Sequence, residues 1–221
     1  MPFPLKAIVN RYSCRNFLSQ EVEEEKLYNI IEAARLAPSW VNVQPWHFII
    51  VKDKQQKELL AKLSHNQPHV DEAPVVIVCC GNKAAWEYDN YKKILENRPD
   101  MTEEKMNRLL TNPAFNPKLI NDETLMLRTA ESLSYATAFM ILEAYNQELG
   151  CCIIGGIGNE ITSSIPEVYA VVREELSLPD DMFILSLLAV GYPKQTQNDC
   201  LKYRHSHSDI VSCNYYGCKN F

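Results

Sequence analysis

The hydrophobic positions divide the chain into alternating helical and extended stretches. Residues 23–37 (EEEKLYNIIEAARLA) place Leu27, Ile30, Ile31, Ala34 and Ala37 at helical spacing. Their acidic start complements a helix dipole, and Pro38 closes the helix. Residues 46–52 (WHFIIVK) read as a strand, and 54–63 return to helical periodicity. Residues 74–80 (PVVIVCC) read as a buried strand entered through a proline. Residues 84–97 predict a polar and aromatic helix. The stretch 98–122, rich in proline and asparagine, predicts an irregular or partly helical excursion of the kind that covers a site. Residues 123–149 predict the longest helix, apolar on all sides as a central buried helix is, with Gly150 ending it. Residues 166–176 predict a helix with proline in its first turn, 183–190 a third buried strand, and 192–221 a polar tail. Helices around a few irregularly spaced strands predict an α+β architecture. No Gly/Ser-rich linker interrupts residues 1–221, which read as one domain.

Charge and cysteine usage narrow the functional classes. The net charge of −6 and pI of about 5.4 argue against nucleic acid or an anionic membrane as a partner. The amino terminus lacks the pattern of a signal peptide, and runs such as VVIVCC and FILSLLAV are too short to span a bilayer. The expected location is the cytoplasm. Among the eight cysteines there is no CxxC, so neither a thioredoxin motif nor the usual zinc spacing is present. Cys213 and Cys218 enclose NYYG with His205 and His207 nearby, but the ligand spacing is incomplete and no metal site is expected. There is no GxGxxG after a strand, no HExxH and no serine-nucleophile elbow.

Four constellations carry candidate chemistry. In an extended segment Arg11, Ser13 and Arg15 share a face, giving two guanidinium forks and a hydroxyl suited to a phosphate; the alternative is a solvated basic turn. Lys202 and Arg204 are a second basic pair, in the tail. Residues 37–48 (APSWVNVQPWHF) form a proline-bracketed turn whose Ser39, Asn42 and Gln44 suit a neutral heterocycle, or cap the following strand. Residues 150–158 (GCCIIGGIG) allow backbone to approach a flat ring, or simply connect helix to loop.

RYSCRNF, APSWVNVQPWHFIIV, ELGCCIIGGI and the terminal KYR, in this order, resemble the nitroreductase family over nearly the whole chain. The resemblance implies a three-layer fold with a mainly antiparallel central sheet surrounded by helices. It also implies an interwoven homodimer with FMN at the interface, the tail 192–221 packing on the partner. Arg11, Ser13 and Arg15 are then expected to hold the phosphate and ribityl chain with Lys202 and Arg204. Ser39 and Asn42 are expected from the partner subunit, Gly155 and Gly156 beside the reactive edge of the ring, and Asn66 at its pyrimidine edge. Two positions depart from common members. Trp40 replaces a small residue and narrows the entrance or stacks near the ring. His69 falls where some members carry a lysine, which changes how a reduced flavin anion is stabilised. The implied activity is ping-pong reduction of nitroaromatics, quinones or related small-molecule acceptors by NADH or NADPH, with no catalytic side chain because the flavin carries the chemistry. The rival readings are a specialised flavin reductase or dehalogenase, and a non-catalytic FMN-binding or storage protein.

Overall fold

A computed structural model describes residues 5–194 and 203–218. In chain order the elements are α1 (Lys6–Asn10), α2 (Glu24–Arg35), β1 (Trp46–Val51), α3 (Lys54–Leu63), α4 (Pro68–Asp71), β2 (Val75–Asn82), α5 (Tyr88–Glu96), α6 (Glu103–Thr111), α7 (Asp122–Asn146), β3 (Gly150–Ile154), α8 (Pro166–Glu175), β4 (Met182–Gly191) and α9 (His207–Ile210). Two of the longer helices begin at side-chain caps. The Asp53 carboxylate accepts from Gln56 N at 2.9 Å to start α3, and Asn121 accepts from Thr124 N at 2.7 Å to start α7.

The four strands form an antiparallel sheet in the order β1-β2-β4-β3. Strand β2 shows why this is a three-layer structure. Val75, Ile77 and Cys79 belong to one core cluster, with Leu27 and Ile30 of α2 and Leu133 and Met140 of α7. Val76, Val78 and Cys80 belong to another, with Leu60 and Leu63 of α3 and Tyr169 and Val172 of α8. The period of two sends alternate side chains to opposite faces, and helices cover both, so β2 reads as a continuous apolar run.

A third cluster lies under the excursion that the sequence marks as irregular. There Trp86, Tyr91, Leu95, Leu110 and Leu125 are buried together. Trp86 Nε1 donates to Thr129 Oγ1 at 3.1 Å, and its ring meets Tyr91 edge-on with centroids 5.7 Å apart. One expectation needs correction: residues 150–154 are the edge strand β3, not a loop, so 182–191 is the fourth strand. The excursion 98–122 is partly helical, its helix Glu103–Thr111 being capped at the start by Thr102, which accepts from Lys105 N at 3.3 Å.

Candidate functional site

The segment 11–15 lies beside β3. Ser13 forms an isolated parallel bridge with Cys151, and Cys14 N donates to Cys151 O at 2.9 Å. This extended geometry turns Cys14 inward, where it is 2% exposed. It leaves Arg11, Ser13 and Arg15 around the neighbouring thiol of Cys152. Burial raises that thiol's pKa, while the positive charges of Arg15 and Arg11 and a hydrogen bond with Ser13 oppose the rise. Arg15 and Ser13 act on this thiol, whereas the charge of Arg11 is felt by Cys151 as well as by Cys152. Gly150 makes this docking possible, since a Cβ there would lie 2.8 Å from both Cβ and Sγ of Cys14.

The strand then delivers Gly155 and Gly156 to the surface, where both are exposed. A Cβ at Gly155 would meet nothing within 4 Å. The pair is tied to the end of α3. Gly158 N donates to Leu63 O at 2.9 Å, and Gln67 Nε2 donates to Gly156 O at 3.5 Å. Asn66, exposed and left-handed at φ 59°, stands next to Gln67. His69 in α4 is 6% exposed, and its Nε2 has no hydrogen-bond partner among the described residues. Burial lowers its pKa below the ordinary histidine value, and the charge of Arg15 lowers it further against an opposing pull from Glu72. Arg15 and His69 are thus electrostatic neighbours, and the imidazole is held neutral. Gln67 carries no motif signal of its own; only the tie between the glycines and the end of α3 brings it here.

The loop Ser39–Gln44 is elsewhere. Ser39 Oγ accepts from Gln44 N at 2.9 Å, Trp40 N donates to Ser132 Oγ at 3.2 Å, and the Arg128 guanidinium sits 4.2 Å over the Trp40 ring. Val41, Asn42 and Gln44 have φ of 44°, 62° and 54°. For a β-branched valine this is strained backbone, of order 1–3 kcal/mol, and such strain clusters at ligand sites. Pro45 O accepts from Asn82 N, which places the loop at the Gly81–Phe183 end of the sheet. Cys151 pairs with Val190, seven residues further along β4. With strands about 4.8 Å apart and a rise of ~3.3 Å per residue, the loop and Ser13 are separated by about 19 Å across the sheet and ~23 Å along it. One chain does not bring the two groups together.

Of the basic tail, Lys202 lies outside the described residues. Arg204 is exposed and donates through Nη1 to Tyr203 O at 2.6 Å. No group of histidine, cysteine or carboxylate side chains among the described residues could hold a metal ion, and no helix there is long and apolar enough to cross a membrane.

The fold is a three-layer α+β structure with a basic segment docked on its edge strand, an open glycine pair after that strand and a strained Ser–Asn loop at the opposite corner. Residues 8–192 match the Nitroreductase family model, and the chain belongs to the nitroreductase family. It is 29% identical over 189 residues to an FMN reductase [NAD(P)H] of Bacillus subtilis, covering 86% of this chain. The chain spans only 65% of that relative's length. It is 31% identical over 157 residues to an oxygen-insensitive NADPH nitroreductase of Helicobacter acinonychis, covering 68% of this chain and 73% of the relative. The fold is that of a nitroreductase-like protein of Streptococcus mutans, with a TM-score of 0.78 at 19% identity over 95% of this chain and 97% of the other.

Proposed function

We propose that the chain is an FMN-dependent oxidoreductase that takes electrons from NADH or NADPH and passes them to nitroaromatic, quinone or related electron-poor acceptors. The observation that carries this reading is the convergence at β3 of Arg11, Ser13 and Arg15 with His69 and the Gly155–Gly156 pair. These residues fit the cofactor. Two guanidinium groups and a hydroxyl on one face suit its phosphate. Glycines with open space above them suit close approach of a flat ring. The orphaned Nε2 of His69 needs a polar partner, and the pyrimidine edge of a flavin offers several. The names of the relatives support the same cofactor and donor.

When bound, FMN supplies the two-electron chemistry, so no protein nucleophile is required. The buried thiol of Cys151, pushed up to about 12, stays protonated and inert. Arg11, Ser13 and Arg15 would hold its phosphate with Lys202 and Arg204, Asn66 and His69 would address its pyrimidine edge, and Gly155 and Gly156 would leave its reactive edge open to donor and acceptor in turn, as a ping-pong order requires.

The opposite-corner placement of the Ser39–Asn42 loop supports a site shared between two chains of a homodimer, the loop coming from the partner. An apolar surface supports the same assembly. Leu5, Ile8 and Val9 of the amino-terminal segment and Leu127, Tyr135 and Phe139 of α7 are all at least 40% exposed. Beside them Tyr12, Leu142 and Pro193 help line a cleft of about 1090 Å³, which a second copy would fill. The expected tail 192–221 divides: residues 192–194 pack on this chain, Tyr192 O accepting from Leu18 N at 2.8 Å and Asn16 O from Lys194 N at 3.0 Å, and 195–202 and 219–221 lie outside the described residues. In 203–218 the exposed Ile210, Tyr215 and Tyr216 suit a surface that lies on the partner.

The purified protein is expected to bind one FMN per chain and to oxidise NADH or NADPH when a quinone is added, with parallel double-reciprocal plots. Arg11→Ala with Arg15→Ala removes two charged hydrogen bonds of roughly 1.5–3 kcal/mol each and should weaken FMN by several orders of magnitude. Equal affinity for riboflavin and FMN refutes the phosphate grip.

A further inference from the structure

The excursion between β2 and α7 holds a second cationic site that the flavin assignment does not use. Arg98, Asp100, Lys105 and Arg108 surround a cleft of about 330 Å³ floored by Leu109 and Phe115. Its lining sets three cations against one carboxylate, a local excess of two positive charges in a chain of net charge −6.

The carboxylate is already engaged. Arg98 grips Asp100 with both arms, Nε to Oδ1 at 3.2 Å and Nη2 to Oδ2 at 3.0 Å, and its Nη1 donates to Val41 O at 3.5 Å. Lys105 Nζ donates to the backbone carbonyl of Asp100 at 3.2 Å, and the Arg108 guanidinium lies 5.2 Å over the Phe115 ring. Among the described residues neither Lys105 nor Arg108 has a carboxylate within ion-pair distance. The acids of α6, Glu103 and Glu104, sit in its first turn and do not line the cleft. Two cations are therefore held over an apolar floor with their charge unmatched, on a scaffold fixed by the Arg98–Asp100 pair.

We propose that this cleft binds a phosphate group of the reduced nicotinamide dinucleotide, either the 2′-phosphate of NADPH or the pyrophosphate common to both donors. The proposal rests on the oxidoreductase reading above. The cleft adjoins the flavin loop, because Val41, whose carbonyl receives Arg98, precedes Asn42. Of the reactants in that reading, the dinucleotide is the one that always carries phosphate. A guanidinium fork and an ammonium recognise phosphate, while Leu109 and Phe115 offer a surface to the adjoining adenosine.

The test is isothermal titration of the FMN-loaded protein with adenosine 2′,5′-bisphosphate and with ADP. The double variant Lys105→Met with Arg108→Met keeps good helix formers in α6 and leaves Arg98 in place. Loss of one charged hydrogen bond corresponds to about a tenfold to hundredfold change, so the double variant should weaken binding by at least tenfold. Arg108→Lys, which keeps the charge, should recover part of the loss, and circular dichroism should show an unchanged helix content. Weakening confined to the bisphosphate assigns the 2′-phosphate, and equal weakening of ADP assigns the pyrophosphate. Unchanged affinity for both probes in a folded variant, or no binding of either to the wild type, overturns the proposal. Binding of either probe without oxidation of NADH or NADPH by the wild type, with a quinone added, would leave the subsite standing and remove the oxidoreductase reading instead.

Discussion

Gly150 tests whether docking of the amino-terminal segment on β3 builds the phosphate grip. In Gly150→Ala the new Cβ would lie 2.8 Å from both Cβ and Sγ of Cys14 and 3.4 Å from Pro193 Cβ. The first two distances are shorter than Cβ contacts tolerate, so segment 13–15 must lift or the strand must bend. Overpacking of this size costs about 1–3 kcal/mol. Loss of the 2.9 Å bond from Cys14 N to Cys151 O would add roughly 0.5–1.5 kcal/mol. With a urea m-value of about 2–3 kcal/mol/M, the unfolding midpoint should fall by roughly 0.5–2.3 M. Binding should weaken as well, because Ser13 and Arg15 ride on the displaced segment. Losing one charged hydrogen bond means about a tenfold to hundredfold higher Kd for FMN. Flavin fluorescence titration reads the Kd, and urea denaturation followed by circular dichroism reads the midpoint. Both offending atoms belong to Cys14, so Cys14→Gly should relieve the clash. The double mutant should then be less damaged than the sum of the singles, a coupling that a double-mutant cycle measures. Additive effects, or an unchanged Kd in Gly150→Ala, would refute the docking argument.

Thr129→Val should strand the buried Nε1 of Trp86 and cost about 1–3 kcal/mol, measured by urea denaturation, with little change in FMN affinity. His69 is held neutral, with its folded pKa below the ordinary value of 6.5. The unfolded chain therefore takes up the proton first, and the stability contribution is whole above that ordinary value and lost as pH falls through the folded value. His69→Gln should flatten this part of the stability–pH curve, and an identical acid limb in the two proteins contradicts the burial argument. Co-expression of Arg11→Ala/Arg15→Ala with Ser39→Ala/Asn42→Ala should yield heterodimers in which one of two sites is intact. Such heterodimers should recover flavin binding and reductase activity that neither parent has, and purified heterodimers as inactive as their parents rule out a shared site.

The local elements were legible wherever one short-range signal dominated. Helix α3 matches residues 54–63 because Asp53 caps a stretch with clear periodicity, and β2 was legible as an apolar run entered through Pro74. The order of the motifs was enough to indicate the family that residues 8–192 match. The alternation of an extended chain predicts one face for Arg11, Ser13 and Arg15, and the structure adds the bridge of Ser13 to Cys151. Strand β3 was not legible. Five residues between a long helix and a glycine pair are too short a run to be read as a strand, although Ile153 and Ile154 favour one, and pairing with β4 on one side and Ser13 on the other makes them extended. The excursion 98–122 was legible as partly helical, but the bounds of α6 were hidden by the prolines and asparagines around it, although Thr102 followed by two glutamates is a capping signal. The orphaned nitrogen of His69, the opposite corners occupied by Ser13 and Ser39, and the meeting of Arg98, Lys105 and Arg108 at one cleft belong to the tertiary structure alone. Periodicity and capping act over a few residues and are written into the chain. Proximity between residues far apart in sequence depends on which strand edges and helix faces pack, and the chain as a whole decides that.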